Sequence, residues 1–207
     1  MLSYLLEDRK FYRTLLHLAI PIAAQNFVSS SVNMLDTIMI GQLGETEIAA
    51  VGQANQLFFL FTLMLFGINS GSAIFTAQFW GKRDVRNIRR VLGIGLATAC
   101  SAAALFTILA LFFPGQVMSI YSKDPAVIEA GVDYLQIVGL SYIITAVSFS
   151  YSAVLRSTDQ ARLPLILSVI SLLSNGILNY LFIFGKFGFP EMGVEGAALA
   201  TLIARII

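Results

Sequence analysis

The spacing of charged residues constrains this chain more than any other feature. Residues 14–35 contain no Asp, Glu, Lys or Arg, and neither do 48–81, 91–122, 134–155 and 163–185. These runs are 22, 34, 32, 22 and 23 residues long. A helix needs about 20 apolar residues to cross a hydrocarbon core, so each run is long enough to span a bilayer. Charged residues make up only 12% of the chain, against about 25% in a soluble domain. The expected fold is therefore an all-α polytopic membrane protein, a bundle of about six transmembrane helices. The expected spans are 14–41, 48–79, 91–115, 131–155, 163–185 and 194–207, the sixth running to the last residue. Residues 1–207 read as one transmembrane unit, because no linker or low-complexity tract interrupts them. The two longest runs exceed one crossing and are expected to tilt, bend or project into water.

The connections set the orientation. Arg9, Lys10 and Arg13 precede the first span, Lys82, Arg83, Arg86, Arg89 and Arg90 follow the second, and Arg156 and Arg162 follow the fourth. That is ten basic residues on one side, against Lys123 and Lys186 on the other. The positive-inside rule then places the N-terminus in the cytoplasm; the expected location is a plasma membrane, the inner membrane of a bacterium. Glu7, Asp8, Arg9, Lys10 and Arg13 precede an apolar run too long for the core of a cleavable signal.

Asp36 is the exception to the apolar pattern. It stands at the outer end of the first span, with uncharged residues on either side from Thr14 to Gly44. A charge costs about 2.5–3.5 kcal/mol at the centre of a spanning helix, so it calls for a partner or a function. Gln25, Ser29, Asn33 and Asp36 are spaced 4, 4 and 3, and Ser168, Ser171, Asn175 and Asn179 are spaced 3, 4 and 4. Each set keeps to one helical face, and polar faces in a membrane turn toward the bundle or a wet cavity. Gln25, Ser29 and Asn33 are expected to line such a cavity. Asp36, Asn175, Asn179 and the hydroxyl of Thr201 supply oxygens for a small hard cation, and the carboxylate can also take up a proton. The bland readings are a structural Asp and interhelical Asn hydrogen bonds.

Other chemistry finds little support. With one cysteine, Cys100, and one histidine, His17, the chain has no disulfide framework and no Cys/His metal site. It has no glycine-rich phosphate loop and no Gly-x-Ser-x-Gly, and one intramembrane acid is not an acid/base pair. An enzyme is not expected, nor a cofactor beyond a coupling ion. The net charge of +1 gives no general attraction to nucleic acid. The run Leu57-Phe58-Phe59-Leu60-Phe61, with Met64 and Phe66, reads as lipid-facing or core packing. A loose internal echo links Pro21 to Asp36 and Pro164 to Asn179, each pair 15 residues apart.

As a set of ordered motifs, the sequence resembles the multidrug and toxic compound extrusion (MATE) family. The resemblance is carried by Asp36-Thr-Ile-Met-Ile-Gly-Gln-Leu-Gly44, Ala49-Ala-Val-Gly52 and Ala77-Gln-Phe-Trp-Gly-Lys82. It continues through Val154-Leu-Arg-Ser-Thr-Asp-Gln-Ala-Arg-Leu-Pro-Leu165, Asn175 to Tyr180, and Gly193-Val-Glu-Gly-Ala-Ala-Leu-Ala-Thr201. It implies twelve helices in two lobes, of which these residues cover the N-terminal one, with a C-terminal lobe as the missing partner. It further implies alternating access, with export of amphipathic, often cationic drugs or dyes driven by inward flow of H+ or Na+. The family's first-helix acid maps to Asp36, its fifth-helix pair to Asn175 and Asn179, and its sixth-helix hydroxyl to Thr201. Asn179 stands where some members carry a second acid, which resembles the NorM-like branch. Two alternatives remain: a lipid-linked oligosaccharide flippase of related fold, and a non-transporting membrane scaffold. Such flippases line their cavity with basic residues, and the first five spans here contain no Lys or Arg.

Overall fold

The computed structural model describes residues 9–207, with side chains from Tyr12 onward except Thr14. Glu7 and Asp8, weighed above in the signal reading, lie outside the described residues. The described residues form eight helices: α1 (Arg9–Ile40), α2 (Glu45–Gly81), α3 (Val85–Phe112), α4 (Pro114–Tyr121), α5 (Pro125–Gly139), α6 (Tyr142–Ser157), α7 (Arg162–Ile183) and α8 (Gly193–Ile206). Four of them, α1, α2, α3 and α7, are long and apolar enough to cross a membrane. The pair α5 and α6 makes a fifth crossing if it is taken as one bent span.

Two expected spans differ in outline. The third, placed at 91–115, ends as a helix at Phe112, because Pro114 opens a separate helix of 8 residues. Proline has no N–H for the preceding ladder and suits a first helical turn. The fourth, placed at 131–155, is helical from Pro125 but bends by 51° between Gly139 and Tyr142. The Ser141 hydroxyl donates to the Val138 carbonyl at 2.6 Å, and the Thr107 hydroxyl donates to the Gly139 carbonyl at 3.1 Å. Side-chain bonds of this kind compete with the helical ladder and are a usual cause of a kink.

The core forms where α2, α3, α5 and α6 meet. Phe61 and Tyr142, both 0% exposed, stack with ring centroids 5.0 Å apart, and Phe106 lies 5.4 Å from Phe61. Ala99, Ala103 and Ala110 of α3 and Ala146 of α6 are fully buried. Small residues let spanning helices approach closely where hydrophobic driving force is weak. The Phe-rich run divides by face: Leu57 and Phe61 are buried, whereas Phe59, Leu60, Met64 and Phe66 are exposed. Exposed apolar side chains also line α1 (Phe27, Met34) and α3 (Ile94), as suits contact with lipid.

The turns at the two ends differ in character. At the basic end, Asp84 caps α3 by accepting from the Asn87 backbone N–H at 3.1 Å and from its side-chain amide at 2.6 Å. The Asn87 backbone bond, followed by the side-chain bond, holds the Asp84 carboxyl below the usual carboxylate range. The Trp80 indole N–H donates to Asp159 at 3.1 Å, tying the α2–α3 turn to the α6–α7 turn. At the opposite end the α7–α8 loop folds back on α7, with the Met192 N–H donating to the Phe182 carbonyl at 2.9 Å. Gly185 makes this return possible: its φ is +59°, and a Cβ there would lie 2.7 Å from the Glu191 nitrogen.

Helix α1 stands apart from the core and packs chiefly on α7, while α7 and α8 pack closely on each other. Pro21 of α1 and Pro164 of α7 are both buried, and the side chains of Asp36 and Asn179, each 15 residues further on, are joined by a hydrogen bond.

Candidate functional site: a carboxylate and two carboxamides shared by three helices

Asp36 lies one turn before the end of α1 and is only 7% exposed. Its carboxylate faces α7, where Asn175 and Asn179 are one turn apart and 0% exposed. The Asn179 amide nitrogen donates both to Asp36 Oδ1 and to Asn175 Oδ1, the latter at 3.2 Å. The Asn175 amide nitrogen in turn reaches the Thr201 hydroxyl of α8 at 3.4 Å. One polar chain thus runs from α1 through α7 to α8, across 143 residues of sequence at its first link.

The helix contacts explain why this network assembles. Gly176 lets α1 approach α7: a Cβ there would lie 2.9 Å from Leu35, next to Asp36. Gly196 does the same between α7 and α8, where a Cβ would lie 2.7 Å from the carbonyl carbon and oxygen of Phe182. One turn further inward, the Ser171 hydroxyl donates to the Ala204 carbonyl at 2.8 Å, a second tie between α7 and α8. Ser168 is turned back on its own helix, donating to the Pro164 carbonyl at 2.9 Å.

The Asn179 carbonyl oxygen is buried and has no hydrogen-bond partner. Native structures rarely leave such an oxygen unpaired, because its desolvation costs about 1–3 kcal/mol. It lies on the residue that binds Asp36 and is therefore a ready acceptor for a bound cation or an ordered water. One carboxylate, two carboxamides and a hydroxyl form a set that suits a proton or a small hard cation.

The other residues expected to line a cavity are not gathered here. Gln25 is buried at the basic end, accepting from the Arg156 guanidinium at 3.2 Å. Ser29 and Asn33 are exposed along α1. The 4-4-3 stripe is therefore split: Gln25 and Asp36 are buried at its ends, and Ser29 and Asn33 between them are exposed.

Sequence reasoning passed over Arg205. It stands on α8 one turn past Thr201, and its guanidinium donates to the Ser141 hydroxyl at 2.7 Å and lies 4.0 Å from the centre of the Phe58 ring. The available signal was its spacing: Thr201 and Arg205 are i and i+4 on one apolar helix, so they share a face.

Comparison with known proteins gives a consistent picture. The MatE family model matches residues 21–181. A probable multidrug resistance protein NorM from Rhizobium meliloti is 31% identical over 92% of this chain and 41% of its own length. A probable multidrug resistance protein NorM from Thermotoga maritima is 28% identical over 97% of this chain and 43% of its own. The chain therefore spans about two fifths of the length of these curated relatives. Among solved structures, a crystal structure of MATE in the straight conformation superposes with a TM-score of 0.87 at 15% identity, covering 96% of this chain and 44% of that one. At that identity the likeness speaks for the fold alone.

Proposed function

The chain belongs to the MatE family, and from that premise we propose that it forms the N-terminal lobe of a cation-coupled multidrug efflux antiporter. A C-terminal lobe would complete the transporter. The observation that carries the coupling role is the Asp36–Asn179 bond: the one acid within the first span is buried and bonded across a helix interface. Buried intramembrane acids of this kind mark ion pathways and proton relays.

With Asp36 ionised, the Asn179 amide holds the carboxylate against α7. Arrival of the coupling ion from the outer face, H+ or Na+, neutralises Asp36 and weakens that hold. Helix α1 has few other contacts, so it is free to shift against α7 and favour the state that releases the drug. Loss of the ion to the cytoplasm restores the bond. A sodium ion on Asp36 would call for the Asn179 amide to turn, so that its unpartnered oxygen replaces the nitrogen. A proton requires no such turn. The substrates proposed are amphipathic, often cationic drugs or dyes, moved by alternating access between two lobes.

The test is dye efflux into energised inverted vesicles carrying the full-length chain, with H+ and Na+ gradients imposed separately. Efflux driven by one gradient supports the antiporter and names the ion. Absence of efflux of cationic dyes under both gradients, with insertion verified, points to the flippase.

The proposed orientation puts the N-terminus and the α2–α3 turn in the cytoplasm of a bacterial inner-membrane protein. Lys82, Arg83, Arg86, Arg89 and Arg90 are all exposed. Single cysteines at these positions should react with a membrane-impermeant maleimide in inverted vesicles and not in intact cells. Reaction in intact cells would reverse the topology.

A further inference from the structure

At the end of the lobe opposite the basic turns, large apolar side chains stand exposed on two elements. The first is α4. Its Pro114, Val117 and Met118 are buried, which fixes the inner face, while Phe113, Ile120 and Tyr121 are exposed, Ile120 by 76%. The second is the α7–α8 loop, where Phe187 is 88% exposed. Gly185, Phe187 and Gly188 all have positive φ, at +59°, +57° and +90°. A bulky residue rarely takes that conformation. The turn is held on both sides of Phe187. The Lys186 N–H donates to the Leu181 carbonyl at 3.1 Å, and the Phe189 ring meets Phe182 edge-on with centroids 5.3 Å apart.

Helix α3 indicates what covers these side chains. Its Ile94, Leu105, Ile108 and Phe112 are exposed and, at spacings of 11, 3 and 4, share one face. The Thr98 and Ser101 hydroxyls on that face are bonded back to their own helix, at 2.8 Å each. Such a face on a spanning helix meets lipid, and Phe113 continues it into α4. With 28 residues at 1.5 Å each, α3 is about 42 Å long, the thickness of a bilayer with its headgroups. Starting from the basic turn at one surface, it brings α4 to headgroup depth at the other. Lys123 and Lys186, the two lysines at this end, stand two residues after Tyr121 and one before Phe187, and both are exposed. Aromatic rings beside a cationic side chain suit the boundary between acyl chains and headgroup phosphates. We propose that α4 and the Phe187 turn are interfacial anchors. They insert Phe113, Ile120, Tyr121 and Phe187 into the phospholipid leaflet at this end, and Lys123 and Lys186 reach its phosphates. One consequence rests on the coupling-site reading: the second anchor follows α7, the helix of Asn175 and Asn179, and holds it at a fixed depth while α1 shifts.

The test is spin-label depth on the full-length chain in phospholipid vesicles, in a Cys100→Ser background. Labels at Ile120→Cys and Phe187→Cys are compared with Ile94→Cys, on the lipid face of α3, and with Lys82→Cys, in the basic turn. The ratio of collisions with oxygen to collisions with a water-soluble nickel chelate should be several-fold higher at 120 and 187 than at 82, and should approach that at 94. A ratio at either site equal to that at 82 would place it in water and overturn the proposal. Few collisions with both reagents would mean that the rest of the full-length chain covers the site, which would overturn it as well. The measurement needs no transport, so failure of the antiporter reading would show separately, as absent dye efflux.

Discussion

Gly196→Val will separate α7 from α8 and destabilise the lobe by about 3 kcal/mol, the upper end of the usual cost of overpacking. The reason is that the neighbour is backbone. A Cβ at this position would sit 2.7 Å from the Phe182 carbonyl carbon and oxygen and 3.0 Å from the Ile183 nitrogen. A flexible side chain could swing away, but the last turn of α7 cannot. The same turn accepts the Met192 N–H that closes the α7–α8 loop. Displacing it also stretches the link from Asn175 to Thr201, already 3.4 Å long. Thermal unfolding in detergent would show the loss. Gly131→Ala makes a useful contrast, because there the clash is with the end of the Met118 side chain, which can move. A Gly196→Val protein that unfolds with the wild type would mean that the two helices do not cross this closely.

Asp36→Asn will reduce gradient-driven efflux by about 100-fold, at the top of the range of coupling free energies of about 1–3 kcal/mol. Asparagine keeps the shape and can still bond to Asn179, so the helices stay together. What is lost is the one group in the relay able to change charge. Drug binding at equilibrium, read by fluorescence of a bound dye, should change by only a few fold. Loss of both binding and efflux would instead mark Asp36 as part of the drug site. Efflux that survives the substitution would return Asp36 to a structural role.

Much of this arrangement was legible in the sequence because membrane spans are defined by what they exclude. The five uncharged runs could be nothing but apolar helices, and Asp36 drew notice as the carboxylate between two of them. Periodicity placed Asn175 and Asn179 on one face, and the structure joins both to Asp36 and Thr201. Periodicity could not decide which polar residues would be covered. Ser29 and Asn33 share the spacing of Gln25 and Asp36, but they are exposed where those two are buried. The bend between α5 and α6 was hidden for a similar reason. Gly139 and Ser141 are common in spanning helices, and the kink depends on where the Ser141 and Thr107 hydroxyls find their acceptors. Arg205 drew no notice because the basic residues weighed for topology were those of the connections, and it lies within α8. The structure turns it inward onto Phe58 and Ser141.

The most direct test of the coupling role is the reverse reaction. Proteoliposomes containing the full-length chain would be given an outward dye gradient and no ion gradient, and movement of H+ and of Na+ would be recorded. Coupling is reciprocal, so the account predicts that dye flow drives one of the two ions the opposite way, and that Asp36→Asn abolishes this ion flux. Dye movement with no flux of either ion, or an ion flux that persists with asparagine at position 36, would contradict it.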